Sequence, residues 1–273
     1  GGIRFSLAAL ETLNQVLIKE NKINKVNDIQ KNQFSDFVKI EIKDLNFNYS
    51  STKTSVLKNI NISINKNQSI GIMGPSGSGK TTLVDLLLGL LNPTNGYIQV
   101  DERNISDFKN SWRSSIGYVP QDIYMLDDTI SKNIAFGVDK ELINKEQLEN
   151  TIELAQLNTL IDGLPDGYET VIGERGARIS GGQRQRIGIA RALYNDPDIL
   201  IFDESTSSLD QETEDQLMRD IGKLHGSKTI IIISHRASTV SNCDYIYLLK
   251  NGKIEKSINK SEFNLININK NSV

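Results

Sequence analysis

Short, almost wholly apolar segments recur along the chain and are separated by longer segments in which apolar residues repeat at helical spacing. The late apolar runs are nearly continuous, which is typical of strands that are buried on both faces of a parallel sheet. Residues 82–91 and 211–224 carry the spacing of amphipathic helices. The pattern therefore predicts a three-layer α/β domain. The apolar runs that predict its strands are residues 70–73, 116–119, 199–202, 229–233 and 245–249.

Other parts of the chain follow different patterns. Residues 38–49 and 60–64 alternate apolar and polar positions, which predicts half-buried strands on either side of a polar turn. A turn at residues 93–96 precedes another predicted strand at 97–100. Residues 128–165 instead repeat apolar side chains at helical spacing, so we expect a mainly helical insertion there.

The two ends of the chain are predicted to lie outside the compact domain. Residues 3–20 have the period of an amphipathic helix whose apolar stripe needs a partner. Residues 20–37 are rich in Asn, Lys and Gln, as in a solvated linker. Residues 257–273 have no clear period, and the sequence leaves open whether they form a short helix. The predicted division is an N-terminal helix and linker at 1–37, a domain at 38–258 and a tail at 259–273.

Composition and charge narrow the classes of function. The chain has 273 residues, with 31 Lys and Arg against 34 Asp and Glu and a formal net charge of −3. That balance argues against nucleic acid as the main partner. Cys243 is the single cysteine, so we expect no internal disulfide, an inert thiol and a reducing compartment. No apolar run approaches the roughly 20 residues that cross a bilayer.

The stretch with the clearest chemistry matches the phosphate-loop pattern G-x-x-x-x-G-K-[ST]. Its glycines let several backbone N–H groups point at one anion, and the helix that follows adds its positive end. Lys80 would reach the β and γ phosphates of a nucleotide, and the Thr81 hydroxyl would hold Mg²⁺. The alternative is a glycine-rich turn before a core helix, but the strand, loop and helix context favours the phosphate site. The loop comprises Gly74, Pro75, Ser76, Gly77, Ser78, Gly79, Lys80 and Thr81.

Two carboxylates end the apolar run at 199–202. The carboxyl ends of parallel strands lie beside such a loop, so Asp203 can meet the Mg²⁺ held by Thr81. Glu204 is then placed to orient or deprotonate an attacking water. Strands also end in acidic turns for structural reasons alone, but the phosphate loop favours the catalytic interpretation.

A second potential anion site begins at Ser180. This residue, Gly181 and Gly182 precede a helical pattern at 184–191, and the free N–H groups of a helix start attract an anion. One nucleotide does not need two such cradles, so the second would serve another nucleotide. A plain helix cap followed by flexible glycines explains the same residues equally well.

These residues together resemble the nucleotide-binding domain of ATP-binding cassette (ABC) transporters, over about residues 38–255. The phosphate loop is similar to the Walker A motif, residues 199–204 to the Walker B motif, and residues 179–183 to the signature motif, usually LSGGQ, with Ile179 in place of Leu. The remaining matches are Tyr49 for adenine stacking, Gln121 for the Q-loop, Ser208, Leu209 and Asp210 for the D-loop, and His235 for the switch histidine. The resemblance implies a P-loop NTPase core with a mainly parallel sheet, an antiparallel β subdomain and a helical subdomain insertion at about residues 122–185.

The resemblance also implies ATP and Mg²⁺ as ligands and a role for each residue. Glu204 would act on the attacking water, and His235 would hold the γ phosphate. Mg²⁺ would be held by Thr81, Gln121 and Asp203. The catalytic set would be Lys80, Gln121, Glu204 and His235. ATP would be bound by Tyr49, Gly74, Pro75, Ser76, Gly77, Ser78, Gly79, Lys80, Thr81 and Thr82.

Two domains of that family pair head to tail, and each ATP lies between the phosphate loop of one and the signature motif of the other. The resemblance therefore implies a second nucleotide-binding domain as partner, in a homodimer or a pair of half-transporters. Its nucleotide would be covered by Ser180, Gly181, Gly182 and Gln183. A transmembrane domain is expected upstream in the same chain, because residues 173–176 resemble a loop of exporter-type members. The domain would then lie at the cytoplasmic face of the cell membrane.

Several alternatives use the same cassette differently. Soluble DNA-repair and chromosome-organising ATPases split it with long coiled coils, and no sustained heptad run is present. Translation-factor relatives carry two cassettes, and a non-hydrolysing ATP-dependent clamp is disfavoured by the intact Glu204 and His235. The apolar stripe of residues 3–20 suits the cytosolic end of a last transmembrane helix, but it suits packing on this domain or self-association equally well.

We predict that this chain is the ATP-hydrolysing motor of an exporter. Its cargo stays open, although residues 3–11 are faintly similar to lipid-linked oligosaccharide flippases.

Overall fold

A computed structural model describes residues 37–50, 54–205 and 211–263. All of them fall in the larger of two units into which the chain divides, residues 32–273. The predicted N-terminal helix, the linker up to residue 36, the D-loop residues 208–210 and the tail beyond residue 263 lie outside the described residues. No helix within these ranges is both long enough and apolar enough to cross a bilayer.

The described residues form ten strands and eight α-helices. The strands are β1 (Lys39–Phe47), β2 (Leu57–Asn65), β3 (Ser69–Met73), β4 (Asn95–Val100), β5 (Arg103–Asn104), β6 (Ile116–Val119), β7 (Ile199–Asp203), β8 (Thr229–Ser234), β9 (Tyr245–Lys250) and β10 (Lys253–Asn259). The helices are α1 (Lys80–Leu87), α2 (Lys109–Ser114), α3 (Ile130–Ile134), α4 (Lys145–Leu154), α5 (Asn158–Asp162), α6 (Gly181–Leu193), α7 (Gln211–Gly222) and α8 (Ala237–Val240). Short 3₁₀ helices occur at Ile105–Asp107, Lys140–Leu142, Gly167–Glu169 and Glu174–Gly176.

The larger sheet has six strands in the order β10-β9-β3-β8-β7-β6. All are mutually parallel except β10, which pairs antiparallel with β9 at one edge. Strands β7 and β8 are buried throughout their length, as their near-continuous apolar runs predicted. The carboxyl ends of β3, β7 and β8 therefore lie side by side at one edge of the sheet, and the predicted α/β class is confirmed.

Apolar side chains on the two faces of this sheet enter different cores. Ile230 and Ile232 of β8 pack into one hydrophobic cluster, while Ile231 and Ile233 pack into the other. The first cluster contains the buried apolar residues of α3, α4 and α6. The second joins α1 to the smaller sheet. This alternation produces the three layers that the sequence predicts.

The smaller sheet is antiparallel, in the order β2-β1-β4-β5. Alternate residues of β1, including Ile40 and Ile42, are fully buried against the second cluster. The Asp101 carboxylate accepts the N–H groups of Val38 and Lys39 at 2.8–3.0 Å, which ties the start of β1 to the end of β4. The antiparallel subdomain implied by the family resemblance is thus present.

The insertion between the strands at 116–119 and 199–203 is largely helical, as predicted. Thr129 caps α3 by accepting the N–H of Lys132, and Asn144 caps α4 by accepting the N–H of Gln147. Ile130 and Leu148, two apolar residues at the predicted helical spacing, are 0% and 1% exposed. The insertion packs on α6, the helix that follows Ser180.

The strand β10 was not predicted. Most of its side chains are exposed at the edge of the sheet, so its apolar pattern is weak. The backbone at Asn251 and Gly252, with φ of +49° and +75°, forms the tight turn from β9. Beyond β10, Phe263 is only 6% exposed and packs on the first cluster. The structured chain therefore continues past residue 258, where the predicted domain ended.

Cys243 is 1% exposed, and burial raises the pKa of its thiol from 9.0 to about 12. Because the thiolate is the reactive form, the raised pKa leaves roughly 1,000-fold less of it near neutral pH. We expect native protein to react with a disulfide reagent at pH 8 at least about 100-fold more slowly than urea-unfolded protein. Similar rates in the native and unfolded chains, followed by absorbance, would show that this thiol is accessible.

Candidate nucleotide-binding site

The loop after β3 has a shape that depends on glycine. A Cβ on Gly74 would lie 2.1 Å from the carbonyl oxygen of Leu249, so the loop can pass β9 only without a side chain there. Gly77 and Gly79 have φ of +75° and +105°, a region that favours glycine. Among the described residues, no hydrogen bond is made by the N–H groups of Ser76, Gly77 and Gly79. The loop thus presents backbone donors at the start of α1, where a helix also attracts anions.

Lys80, the first residue of α1, links the loop to the neighbouring strands. Its side chain is 5% exposed, and Nζ donates to the carbonyl oxygens of Gly74 at 2.9 Å and Pro75 at 3.1 Å. The same nitrogen lies 3.2 Å from Oε1 of Glu204. This ion pair joins Lys80, which follows β3 and the phosphate loop, to Glu204, which follows β7. In the sheet, β8 lies between β3 and β7.

Glu204 follows β7 in a backbone conformation that is uncommon for a residue with a side chain. Its φ is +45°, and its N–H donates to the carbonyl oxygen of Ile233 at 2.9 Å. Backbone strain of this kind is concentrated at functional sites. Oε2 of Glu204 lies 3.7 Å from Nδ1 of His235, whose side chain is half exposed. Lys80, Glu204 and His235 therefore form one contiguous cluster at the carboxyl edge of the sheet.

Asp203, the last residue of β7, is a carboxylate in a largely buried and negatively charged environment. It is 5% exposed, and the Tyr118 hydroxyl donates to its Oδ2 at 3.3 Å. Burial raises the pKa of the Asp203 carboxyl, and the charges of Glu204 and Asp85 add to that shift. The hydrogen bond from Tyr118 and the charge of Lys80 oppose it. A bound cation would relieve this excess of negative charge.

The donors near the loop suit Mg²⁺ that binds together with a nucleotide. In such sites Mg²⁺ is usually held by one or two carboxylates plus the phosphates of the substrate. Asp203 supplies a carboxylate, and Thr81 supplies a hydroxyl from the exposed part of the first turn of α1. Gln121 is exposed just beyond β6, and no hydrogen bond between described residues joins it to Asp203 or Thr81. Its place at the metal stays a prediction.

Tyr49 lies beside the first turn of α1. Its hydroxyl is 3.2 Å from Oγ1 of Thr82, and its ring forms a T-shaped pair with the Phe47 ring, with 4.9 Å between centroids. The side chain is 40% exposed, so part of its ring is accessible to a ligand. The predicted adenine-stacking residue and the predicted contact residue Thr82 are thus brought together.

The segment that begins at Ser180 forms a capped helix start. Ser180 Oγ accepts the N–H of Gln183 at 3.2 Å, and Oε1 of Gln183 accepts the N–H of Ser180 at 2.8 Å. No hydrogen bond between described residues joins this segment, including Gly182, to the phosphate loop. Gly181 has no positive φ, and a Cβ there would meet no atom within 4 Å. The described structure therefore does not require glycine at position 181.

Sequence reasoning missed two contacts that support the site. One is the hydrogen bond from Tyr118 to Asp203. The other is at Arg236, which follows the predicted switch histidine and pairs with the buried carboxylate of Glu214 in α7. The Thr239 hydroxyl donates to the other oxygen of that carboxylate at 2.7 Å. No local sequence pattern marks either contact, because both depend on how segments distant in the sequence pack together.

A nucleotide phosphate requires hydrogen-bond donors and positive charge, and the loop N–H groups and the buried Lys80 ammonium supply them at the carboxyl edge of a parallel sheet. This fold and site define a P-loop nucleotide-binding domain. The chain belongs to the ABC transporter family. The sequence model of that family, described as "ABC transporter", matches residues 57–207. The matched residues include the phosphate loop, the segment at 179–183 and both carboxylates after β7. The resemblance noted from the sequence is confirmed.

Comparison with individual proteins gives the same assignment. Two relatives are 40% identical over 217 residues, and each match covers 79% of this chain. One, from Staphylococcus aureus, is named as a candidate multidrug export ATP-binding/permease protein, and the other, from Ralstonia nicotianae, as an ATP-dependent lipid A-core flippase. The chain spans 37% of the length of each. A solved bacterial Atm1-family ABC exporter with ATP bound matches with a TM-score of 0.78 and 29% identity, over 96% of this chain and 49% of that chain.

Proposed function

We propose that this chain is the ATP-hydrolysing motor domain of a membrane exporter. The observation that carries the proposal is the contact of Lys80 in the phosphate loop with Glu204 after β7, with His235 beside it. Phosphoryl transfer to water needs a cation at the phosphates and a group that orients or deprotonates the water. This cluster supplies both. The names of the ATP-binding relatives and the ATP-bound structural neighbour support the same conclusion.

Binding of ATP would change the partners of Lys80. Its ammonium now donates to the carbonyl oxygens of Gly74 and Pro75. Phosphate oxygens are charged acceptors and form stronger hydrogen bonds, so Lys80 would exchange the carbonyl oxygens for them. The backbone donors of the loop would bind the same phosphates. The exposed face of Tyr49 would stack on the adenine ring.

Hydrolysis would then use the residues at the strand ends. With Lys80 turned to the phosphates, the Glu204 carboxylate would orient the attacking water and accept its proton. His235 would donate to the γ phosphate. Mg²⁺, when bound, supplies positive charge that neutralises the β and γ phosphates. The residues that would hold it are Thr81, Asp203 and Gln121.

Turnover would also need a second domain. Gly181 has room for a side chain in the described structure, and the close approach of another molecule would account for a glycine there. The start of α6 attracts anions, which makes the γ phosphate of a partner's ATP a suitable neighbour. We therefore propose that two chains pair head to tail around two nucleotides. The residues that would cover the partner's nucleotide are Ser180, Gly181, Gly182 and Gln183.

The substitution Gly181→Asp tests this shared site. Aspartate at the first position of α6 is favourable for folding, because a negative charge at a helix N-terminus contributes about 0.3–1 kcal/mol. The same charge would repel the γ phosphate of the partner's ATP. We expect unchanged ATP affinity of the monomer, at least a 10-fold loss of ATPase activity, and no ATP-dependent dimer on gel filtration, since facing like charges cost on the order of several kcal/mol.

Gly181→Asn is the matched control, because it adds the same volume without the charge. It should lose less activity than Gly181→Asp. Thermal unfolding without nucleotide should show that both variants are at least as stable as the parent chain. An aspartate variant that hydrolyses ATP and dimerises like the parent would exclude a shared site at this helix start.

We further propose that the domain works with a transmembrane domain at the cytoplasmic face of a cell membrane. The permease and flippase names of the two longer relatives support this arrangement. Specificity for cargo would reside in the membrane domain, because a fold of this kind supplies energy and not cargo recognition. No comparison supports the soluble ATPase or clamp alternatives.

A further inference from the structure

Tyr118 is held next to Asp203 by the pairing of two parallel strands. Tyr118 of β6 lies opposite Ile201 of β7, and Asp203 is two residues further along β7, on the same face as Ile201. The Tyr118 hydroxyl donates to Oδ2 of Asp203 at 3.3 Å. Among the described residues, this is the one side-chain hydrogen bond that the Asp203 carboxylate receives. The other oxygen of the carboxylate receives no side-chain hydrogen bond from the part of the chain that the structure describes.

Packing alone does not account for the hydroxyl of Tyr118. The ring packs on the second hydrophobic cluster, together with residues of α1 and of β7. Phenylalanine would fill that space equally well and would not bring a polar group into a half-buried position. A hydroxyl in such a position needs a hydrogen-bond partner, and the partner here is the carboxylate assigned to the metal.

We propose that Tyr118 is a positioning residue for the metal site, which fixes one oxygen of Asp203 so that the carboxylate keeps one orientation toward the metal of a metal–ATP complex. The inference rests on the proposed nucleotide function. Carboxylates that ligate metals are commonly held by such outer partners, and loss of the partner typically weakens metal binding about 10- to 100-fold. Tyr118 itself touches neither the substrate nor the metal.

The test is Tyr118→Phe, which removes only the hydroxyl. Binding of Mn²⁺ to the chain in the presence of a non-hydrolysable ATP analogue is followed by electron paramagnetic resonance of the free ion. We expect the dissociation constant for Mn²⁺ to rise about 10- to 100-fold. Binding of the analogue in EDTA should stay within about twofold of the parent value, because the phosphate loop is unaltered.

Two comparisons separate positioning from a structural effect. Tyr97→Phe makes the same chemical change at a partly exposed tyrosine of β4, and it should leave Mn²⁺ binding at the parent value. Asp203→Asn removes the proposed ligand. If Tyr118 acts through Asp203, adding Tyr118→Phe to Asp203→Asn should weaken Mn²⁺ binding no further, which is the non-additivity expected of residues in contact.

Each outcome decides a different question. Parent-like Mn²⁺ affinity in Tyr118→Phe, with or without a lower unfolding temperature, overturns the positioning role and leaves Tyr118 as a packing residue. An equal loss in the Asp203→Asn background overturns it as well, because the effect would not pass through Asp203. If the parent chain binds neither the analogue nor Mn²⁺ with it, the proposed function itself has failed.

Discussion

Glu204→Gln is expected to reduce ATP hydrolysis by about 10²- to 10⁴-fold while leaving ATP bound, the range that a general base contributes. The amide has the same shape as the carboxylate but does not accept the proton of an attacking water. Its oxygen can still accept a hydrogen bond from Lys80, which lies 3.2 Å from Oε1 in the parent chain. Phosphate release under saturating ATP and Mg²⁺ measures the loss of turnover, and calorimetric titration measures ATP binding.

The same variant should accumulate as an ATP-bound dimer, because the proposed pairing precedes hydrolysis and hydrolysis releases it. Gel filtration with ATP and Mg²⁺ would detect that species. Glu149→Gln, which removes an exposed carboxylate from α4, is the matched control and should hydrolyse ATP like the parent. If Glu204→Gln turns over ATP at the parent rate, Glu204 does not act on the water.

The interior strands of the parallel sheet could be predicted from the sequence because each is buried on both faces. The strand β6 has the predicted bounds, and β7 extends the predicted run at 199–202 by one residue. The edge strand β10 has mainly exposed side chains, so burial leaves little pattern in its sequence. The turn signal was nevertheless present, since Asn251 and Gly252 form a dipeptide that favours a tight hairpin. Local turn chemistry was therefore more informative there than hydrophobic periodicity.

The residues of the candidate site were predictable, but several of their contacts were not. A phosphate-loop pattern and a strand that ends in acids are local, and they identified Lys80, Asp203 and Glu204. The left-handed backbone of Glu204 and the hydrogen bond of Tyr118 depend on neighbouring strands. Strand order and register decide such contacts, and a single sequence without pairing information does not specify them.

The helix start at Ser180 has two interpretations, a structural cap and a site that covers a partner's nucleotide, and the described residues bear on the first of them. The capping box with Gln183 is the structural explanation that the sequence left open, and it is present. It accounts for the serine and the glutamine but gives no reason for Gly181, which has space for a side chain. The contacts of the described residues therefore leave the choice of glycine at position 181 without a structural explanation. Gly181 is therefore the position at which the proposed head-to-tail pairing is best tested.

Lys80→Ala is expected to weaken ATP binding about 10- to 100-fold, because a hydrogen bond to a charged group contributes about 1.5–3 kcal/mol. The lysine is 5% exposed, and its ammonium already sits between two loop carbonyl oxygens and Glu204, so little reorganisation is needed to meet a phosphate. The same ammonium would also stabilise the charge that develops on the γ phosphate in the transition state, so hydrolysis should fall further than binding does.

Calorimetric titration of ATP into the parent chain and the variant measures this effect, and circular dichroism without nucleotide shows whether the variant is folded. Lys145→Ala, at an exposed position at the start of α4, removes the same charge away from the loop and should bind ATP like the parent. A folded Lys80→Ala chain with parent affinity for ATP would mean that the loop N–H groups bind the phosphates unaided. The contact between Lys80 and Glu204 would then have only a structural role. It would no longer support the proposed ATPase activity.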